Sequence, residues 1–162
     1  MKSGPEANAS EPEVVQHSAV PVELRALSSI ADADYADVFS IQANTGSSPE
    51  QWAVSMFEDA VGFKAQIVWR GLLGLRLRRK GTPGCVAGWK IGGVGDTWIR
   101  LEAASWLITA NLVVQVEGGR TTAATFIDYK NSLAAAYWPR LASKHREFMP
   151  FLLRFARRVH QR

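Results

Sequence analysis

A pair of glycines between two stretches of alternating side chains constrains the fold of this chain more than any other feature. Gly118 and Gly119 separate residues 106–117 from residues 120–130, and a two-residue glycine loop in this setting predicts an antiparallel hairpin. In the first stretch, every second position is apolar and shares one face: Ile108, Ala110, Leu112, Val114 and Val116. In the second, Thr122, Ala124 and Phe126 oppose Thr125, Ile127 and Tyr129, and the pattern does not decide which of these faces points inward.

Residues 131–160 are predicted to form a long amphipathic helix that begins at Asn131 or Ser132. Because proline lacks an amide hydrogen, Pro139 and Pro150 are each expected to kink this helix or to split off a short first segment. At helical spacing one face collects a stripe of mainly apolar residues: Leu141, His145, Phe148, Met149, Leu152, Phe155, Ala156 and Val159. The arginines and lysines of this segment lie outside the stripe, so the stripe is expected to pack on the sheet.

The part of the chain before the hairpin predicts a strand and a pair of helices. Residues 35–41 read as the first strand, and Ser48 with Pro49 and Gln51 marks a helix start with a capping box. A short break is expected at residues 59–62, and a second helix is predicted to run through Trp69 to the basic residues 76–80. Two short strands are then expected around residues 86–91 and 97–103.

This order of elements predicts an α+β fold in which a curved antiparallel sheet packs on a long C-terminal helix, with a helix pair after the first strand. Such an arrangement leaves room for a cavity between sheet and helix. The domain is expected to span residues 33–162. Residues 1–32 are rich in small and polar residues up to position 20, so we expect a mobile N-terminal tail, with residues 20–27 as its docking part.

Composition excludes several classes of protein. The chain has 162 residues, which suits one domain. Its longest apolar runs are about six residues, whereas a membrane-spanning helix needs roughly 20. The single cysteine and the three separated histidines, at positions 17, 145 and 160, predict no disulfide, no metal site and no cofactor. The lone thiol and the lack of a secretory signal fit the cytoplasm.

Charge is divided unevenly along the chain. Residues 1–60 contain two basic and ten acidic residues, whereas residues 61–162 contain seventeen basic and five acidic residues. This division fits either a basic surface that faces phosphates or anionic lipid, or an ordinary solvated surface. Nucleic acid is not an expected partner, since neither a recognition helix nor exposed aromatics accompany the bases.

A family resemblance adds to this interpretation and covers about residues 33–158. The chain resembles the START-like helix-grip superfamily (SRPBCC), which includes polyketide cyclases and lipid carriers. It looks most like a bacterial group of unknown function that is sometimes fused to short-chain dehydrogenases. The residues that carry the match are Asp34, Tyr35, Asp37, Phe39, Asn131, Leu133, Ala136, Tyr137, His145, Arg146, Pro150, Leu152, Leu153 and Arg154. Trp138 and Pro139 depart from the group, where the helix should continue unbroken. The cone-shaped barrel of ketosteroid-isomerase-like proteins fits less well, because its long helix precedes most strands.

The resemblance and the predicted architecture together imply a small, mostly apolar ligand, such as a lipid or polyketide, held between sheet and helix. The candidate ligand-binding residues are His145, Met149, Leu141, Leu152, Trp69, Arg100 and Tyr129. An enzyme of the same shape is the alternative, a cyclase or lyase that uses His145 as acid and base without a metal. The third hypothesis is that the domain binds no small ligand and docks on a dehydrogenase-like partner protein. The chain is expected to be a monomer or homodimer.

Two of these candidates have a plain structural alternative. His145 lies on the apolar stripe, where it either orients a ligand or is a core histidine with a backbone or carboxylate partner. Arg100 and Glu102 share one face of a strand. They form a buried charge pair if that face points inward, and an ordinary surface pair if it points outward.

Overall fold

The structure, a computed structural model, describes residue 10 and residues 12–162. This part of the chain holds seven strands: β1 (Val15–Gln16), β2 (Tyr35–Gln42), β3 (Cys85–Val86), β4 (Trp89–Val94), β5 (Trp98–Ala104), β6 (Ile108–Glu117) and β7 (Arg120–Tyr129). It also holds four α-helices: α1 (Val22–Arg25), α2 (Pro49–Val54), α3 (Gly62–Ile67) and α4 (Ser132–His160). A π-helical turn follows α2 at Ser55–Asp59, and another follows α3 at Val68–Leu72.

All seven strands form one open antiparallel sheet in the order β1-β2-β7-β6-β5-β4-β3. The predicted hairpin is confirmed, since Glu117 pairs with Arg120 and the two glycines between them form the turn. Gly118 and Gly119 have φ values of 59° and 72°, which glycine adopts without the steric cost a side chain would bring. The predicted α+β class, with an antiparallel sheet and a C-terminal helix, therefore holds.

The inner face of the sheet, which we define as the face toward α2, α3 and α4, carries the main core. Ile99 of β5 lies opposite Val114 of β6, and both side chains are fully buried. On β7 the inner face is the one with Thr125 and Ile127, so the question that the sequence pattern left open is resolved. Trp52 of α2 and Leu153 of α4 are fully buried in the same core.

The outer face of the sheet is covered by the N-terminal segment, defined here as residues 20–33. Leu24 is 4% exposed and packs with Val113 and Phe126 on this face. The buried side-chain oxygen of Asn111 accepts hydrogen bonds from the Ser29 amide at 2.7 Å and from the hydroxyls of both Ser28 and Ser29.

The predicted tail is therefore packed structure over much of its length. β1 pairs with β2 through Val15 and Gln16. Residues 20–33 lie against the sheet because Leu24 is buried there and Val20, Leu27 and Ile30 are partly buried beside it. In the described part of the chain, packing begins well before the predicted boundary at residue 33. Residues 1–9 and 11, which the prediction also assigned to the tail, lie outside the described residues.

The helix pair begins as predicted and ends earlier than predicted. The Ser48 hydroxyl accepts from the Gln51 amide at 3.2 Å, and the Gln51 side chain accepts from the Ser48 amide at 2.8 Å, which completes the capping box. The predicted extension of the second helix to the basic residues 76–80 is wrong, since the helical turns end at Leu72. Gly74 takes a left-handed φ of 62°, and beyond it the Arg76 amide donates to the Ala104 carbonyl at the end of β5.

α4 runs unbroken from Ser132 to His160 with both prolines inside it, so neither proline splits off a segment. Pro139 and Ala135, the residue whose carbonyl would have accepted its missing hydrogen, are both exposed, and water can satisfy that carbonyl. The helix begins at Asn131, whose side chain accepts from the Ala134 amide at 3.0 Å. Among the described helices, none combines the length and apolar character that crossing a bilayer requires.

Candidate functional site

A cavity of about 720 Å³ lies between the inner face of the sheet and the helices α3 and α4. Its lining comes from three sides: the sheet, the segment from α3 through the following π-helical turn, and α4. The residues that line it are Ala60, Val61, Lys64, Ala65, Val68, Trp69, Leu72, Leu73, Leu75, Trp89, Ile108, Ala110, Leu112, Thr125, Ile127, Trp138, Leu141, Lys144, His145, Glu147, Phe148 and Phe151. Most of these side chains are apolar.

A small side chain on the sheet creates space on that side of the cavity. Ala110 lies between Ile108 and Leu112 along the inner face of β6, and Ile127 is its partner on β7. Because an alanine side chain is a single methyl group, the wall recedes at this position. The same alternation that buries β6 on its inner face therefore also shapes the cavity.

The helix side places four lining residues of α4 one turn apart. Trp138, Leu141, His145 and Phe148 follow one another at intervals of three or four residues, which is the spacing of one helix face. His145 is thus carried to the cavity by the helical repeat, and its side chain is 18% exposed.

A polar cluster that joins β2, β7 and α4 stands at this wall. The Nε2 atom of His145 lies 3.0 Å from the Thr125 hydroxyl and 3.1 Å from Oδ2 of Asp37. The Tyr35 hydroxyl donates to the same Asp37 oxygen at 2.6 Å. Asp37 and Thr125 face each other across β2 and β7, so the strand register brings together the two side chains that receive the histidine.

The hydrogen-bond chemistry of this cluster restricts the proton positions. An ionised carboxylate only accepts, so the Asp37 oxygen that already accepts from Tyr35 needs the proton of His145 on Nε2. In a neutral ring, Nδ1 is then the acceptor. Burial raises the pKa of Tyr35 well above its ordinary value, and the hydrogen bond to Asp37 raises it further, whereas Arg146 opposes the shift. The Tyr35 hydroxyl therefore keeps its proton and donates it to the carboxylate in a hydrogen bond.

Several buried polar atoms near the cavity have no hydrogen-bond partner among the described residues. They include the indole Nε1 atoms of Trp89 and Trp138, as well as Oδ1 of Asp37. Both tryptophans line the cavity and are only 3% and 4% exposed. The two indole nitrogens have almost no exposed surface, so they lie behind the cavity wall, where a buried donor without a partner costs free energy.

Three of the seven predicted ligand-binding residues line the cavity, namely His145, Leu141 and Trp69. Trp69 also meets Trp89 edge to face, with 5.6 Å between ring centroids. Met149 and Leu152 are 2% and 1% exposed and belong to the core outside the lining. The strip of α4 that borders the cavity is displaced around the helix from the predicted stripe, toward Lys144, Glu147 and Phe151.

The other two predicted residues also lie outside the cavity lining. Tyr129 shares the inner face of β7 but stands at the end of the strand, where burial and then the charge of Asp34 raise its pKa. Arg100 does not face the cavity, because Leu101 and Ile99 take the inner face of β5. It pairs with Glu102 at 2.8 Å and donates to the Leu27 carbonyl of the N-terminal segment at 2.9 Å.

The sequence interpretation missed the residues that surround His145. Asp37 occupies an inward position of β2 between Tyr35 and Phe39, in a strand whose other inward side chains are aromatic or aliphatic. A carboxylate at such a position is a signal, since buried acids are rare without a partner. The partner on α4 follows only from the strand register. No group of three or more histidine, cysteine or acidic side chains within the described range comes together as a metal site would need.

Comparison with protein-family models, with curated proteins and with solved structures finds no match to this chain. The cavity and its polar cluster are therefore the features of this chain that indicate a function.

Proposed function

We propose that this domain binds a small, mostly apolar molecule, such as a lipid or a polyketide, in the cavity between the sheet and α4. The observation that carries the proposal is the cavity itself, whose volume of about 720 Å³ falls within the usual range for ligand pockets. The binding energy would come from burial of apolar ligand surface, about 25 cal/mol per Å².

The polar cluster would orient the ligand within this apolar space. His145 is anchored by Asp37 and Thr125, so its ring is held in place before the ligand arrives, which lowers the entropic cost of binding. As a polar group in a mostly apolar lining, the ring suits a guest with one or a few oxygen atoms. Membership of the START-like helix-grip superfamily is part of this proposal, and the position of β2 beside β7 with α4 across them is compatible with it.

Native mass spectrometry of freshly purified protein tests the proposal. We expect an additional bound mass, released on denaturation, and binding of a fluorescent fatty acid by protein from which that mass was removed. Ala110→Phe should abolish both, because the ring fills the recess in the sheet wall. Ala136→Phe, at an exposed position of α4, is the matched control and should leave both intact. A wild-type protein with neither a bound mass nor fatty-acid binding would contradict the proposal.

An enzymatic function is the second candidate, and the contact between His145 and Asp37 favours it. A histidine with a carboxylate partner at the wall of a cavity is suited to general acid-base chemistry, of the cyclase or lyase kind. His145→Gln discriminates between the two functions when the molecules bound to wild type and variant are compared. A carrier would hold the same mass in both proteins, whereas an enzyme would accumulate unreacted substrate of different mass or structure in the variant.

A further inference from the structure

The side of α3 that faces away from the cavity carries two large apolar side chains that are exposed to solvent. Phe63 is 79% exposed and Ile67 is 51% exposed, and neither belongs to the cavity lining. They are four residues apart and therefore share one side of the helix, opposite Val61 and Ala65, which line the cavity. An exposed phenylalanine beside an exposed isoleucine is unfavourable in water unless a partner covers them.

Four basic residues extend this surface along the chain. Arg70 comes three residues after the second apolar residue, so it lies on the same side of the helix. Its guanidinium donates to the Leu77 carbonyl at 3.0 Å and to the Arg78 carbonyl at 2.7 Å, which holds the segment after the helix against α3. Residues 78–80 of this segment are all basic and exposed. We define the basic face as Phe63, Ile67, Arg70, Arg78, Arg79 and Lys80.

The positive charge of the basic face is not balanced by its neighbours along the chain. Residues 60–95 contain seven basic residues and no acidic one. None of the bases of the basic face forms an ion pair within the described residues. Two acids precede α3: Glu58 accepts from the Ala87 amide at 2.8 Å, and Asp59 is exposed. Two carboxylates against four bases leave the surface positively charged.

The residue types of the basic face favour an acidic protein segment as its partner. Three of the four bases are arginines, whose planar guanidinium groups bind carboxylates through two parallel hydrogen bonds. Arginine and aromatic side chains are enriched where proteins meet, whereas lysine is depleted there. Phe63 supplies the apolar anchor that such an interface needs.

Other partners match the basic face less well. A nucleic-acid strand stacks its bases on a row of exposed rings, and the basic face has a single ring. In a twofold dimer the same surface meets itself, so the arginines of one copy would face those of the other, and like charges oppose association.

We propose that the basic face binds an acidic segment of another protein. An apolar side chain of that segment packs against Phe63 and Ile67, and its carboxylates pair with the arginines. The inference is independent of the proposed function, because every residue of the basic face lies outside the cavity lining.

Selection from a random peptide library displayed on phage, with the full chain as target, tests this inference. We expect the enriched peptides to combine aspartate or glutamate with large apolar residues, and a fluorescent copy of one to bind in anisotropy measurements. Arg78→Glu with Arg79→Glu should weaken this binding at least about ten-fold. Phe63→Ser with Ile67→Ser should weaken it about ten-fold as well.

Matched variants on other surfaces provide the controls. Arg120→Glu with Arg140→Glu makes the same change in net charge at exposed positions of β7 and α4. Val22→Ser with Leu133→Ser replaces exposed apolar residues of α1 and α4. Both control pairs should bind the peptide nearly as well as the wild type does. The melting temperature of each variant shows that it is folded, and glutamine replaces glutamate at positions 78 and 79 if the charge reversal lowers it.

Several results would overturn the inference. One is a selection that enriches no acidic, apolar sequences, and another is peptide binding that the control pairs weaken as much as the variants of the basic face do. Binding of RNA or of anionic vesicles that these variants abolish, without any effect on peptide binding, would assign the surface to a different partner. A concentration-dependent dimer in sedimentation that Phe63→Ser with Ile67→Ser abolishes would identify the partner as a second copy of the chain.

Discussion

Replacement of His145 by alanine is expected to destabilise the protein because its ring is the partner of a buried carboxylate. The Asp37 side chain is 3% exposed and the His145 side chain 18%, and Oδ1 of Asp37 has no partner among the described residues. Without the ring, the carboxylate keeps only the Tyr35 hydroxyl. Removal of one partner from a fully buried pair costs about 3–5 kcal/mol. Since water can reach the histidine side of this pair, we expect about 2–3 kcal/mol for His145→Ala.

A double-mutant cycle measures the contact itself. Asp37→Asn, His145→Ala and the double variant are compared with the wild type by urea denaturation at neutral pH. The expected coupling free energy between the two sites is about 1–3 kcal/mol, with Asp37→Asn less harmful when His145 is already absent. His160→Ala is the control, because that ring has no carboxylate partner among the described residues. It hydrogen-bonds to the neutral hydroxyls of Ser47 and Ser55 and packs against Trp52, and its loss should cost about 1–2 kcal/mol. Additive single effects, or an unchanged stability of His145→Ala, would refute this reasoning.

Three further predictions concern the sheet and its surroundings. Leu24→Ala should lower the free energy of unfolding by about 2–4 kcal/mol in urea, because this side chain is 4% exposed; Val22→Ala, at an exposed position of the same helix, should change it little. The raised pKa of Tyr35 means that the folded protein keeps a proton that the unfolded chain loses above about pH 10. Stability should therefore fall as pH rises beyond that value, and the fall should be shallower in Tyr35→Phe. Burial, followed by the neighbouring Asp34, raises the pKa of Asp128, so its ionised form is disfavoured on folding. Asp128→Asn should raise the melting temperature at pH 7, and the gain should vanish near pH 3, where the carboxyl is protonated in both states.

Local signals allowed much of the framework to be predicted. The turn at Gly118 and Gly119, the cap at Ser48 and the periodicity of α4 each depend on a few neighbouring residues, and the structure confirms all three. The predicted end of the second helix was wrong, because apolar residues continue in helical spacing up to Leu77 and so suggested a longer helix. The helix ends before Gly74, and beyond this glycine the Arg76 amide donates a hydrogen bond to the Ala104 carbonyl at the end of β5. The acceptor of this hydrogen bond is distant along the chain, so a local sequence pattern does not predict it.

The candidate site was accessible to prediction only in part, for a related reason. His145 could be placed on the inner side of α4 because helical spacing alone determines the face. Its partners, Asp37 and Thr125, meet only when β2 pairs with β7, and that pairing is a property of the whole sheet. Arg100 shows the converse: the alternation of β5 is plain in the sequence, but both faces of the sheet are covered, so alternation alone does not say which face borders the cavity.

The placement of β2 between β1 and β7 has a consequence for the order in which the protein acquires its structure. β2 precedes every other long strand along the chain, yet its main neighbour is the strand that precedes α4. On the ribosome, the edge of β2 that pairs with β7 has no partner until residues 120–129 have been synthesised, and its other edge has only the two residues of β1. Contacts of such sequence separation slow folding, and a strand edge left open meanwhile invites association with other chains. Recombinant yield should therefore respond to slower translation or lower temperature more than native stability alone would suggest.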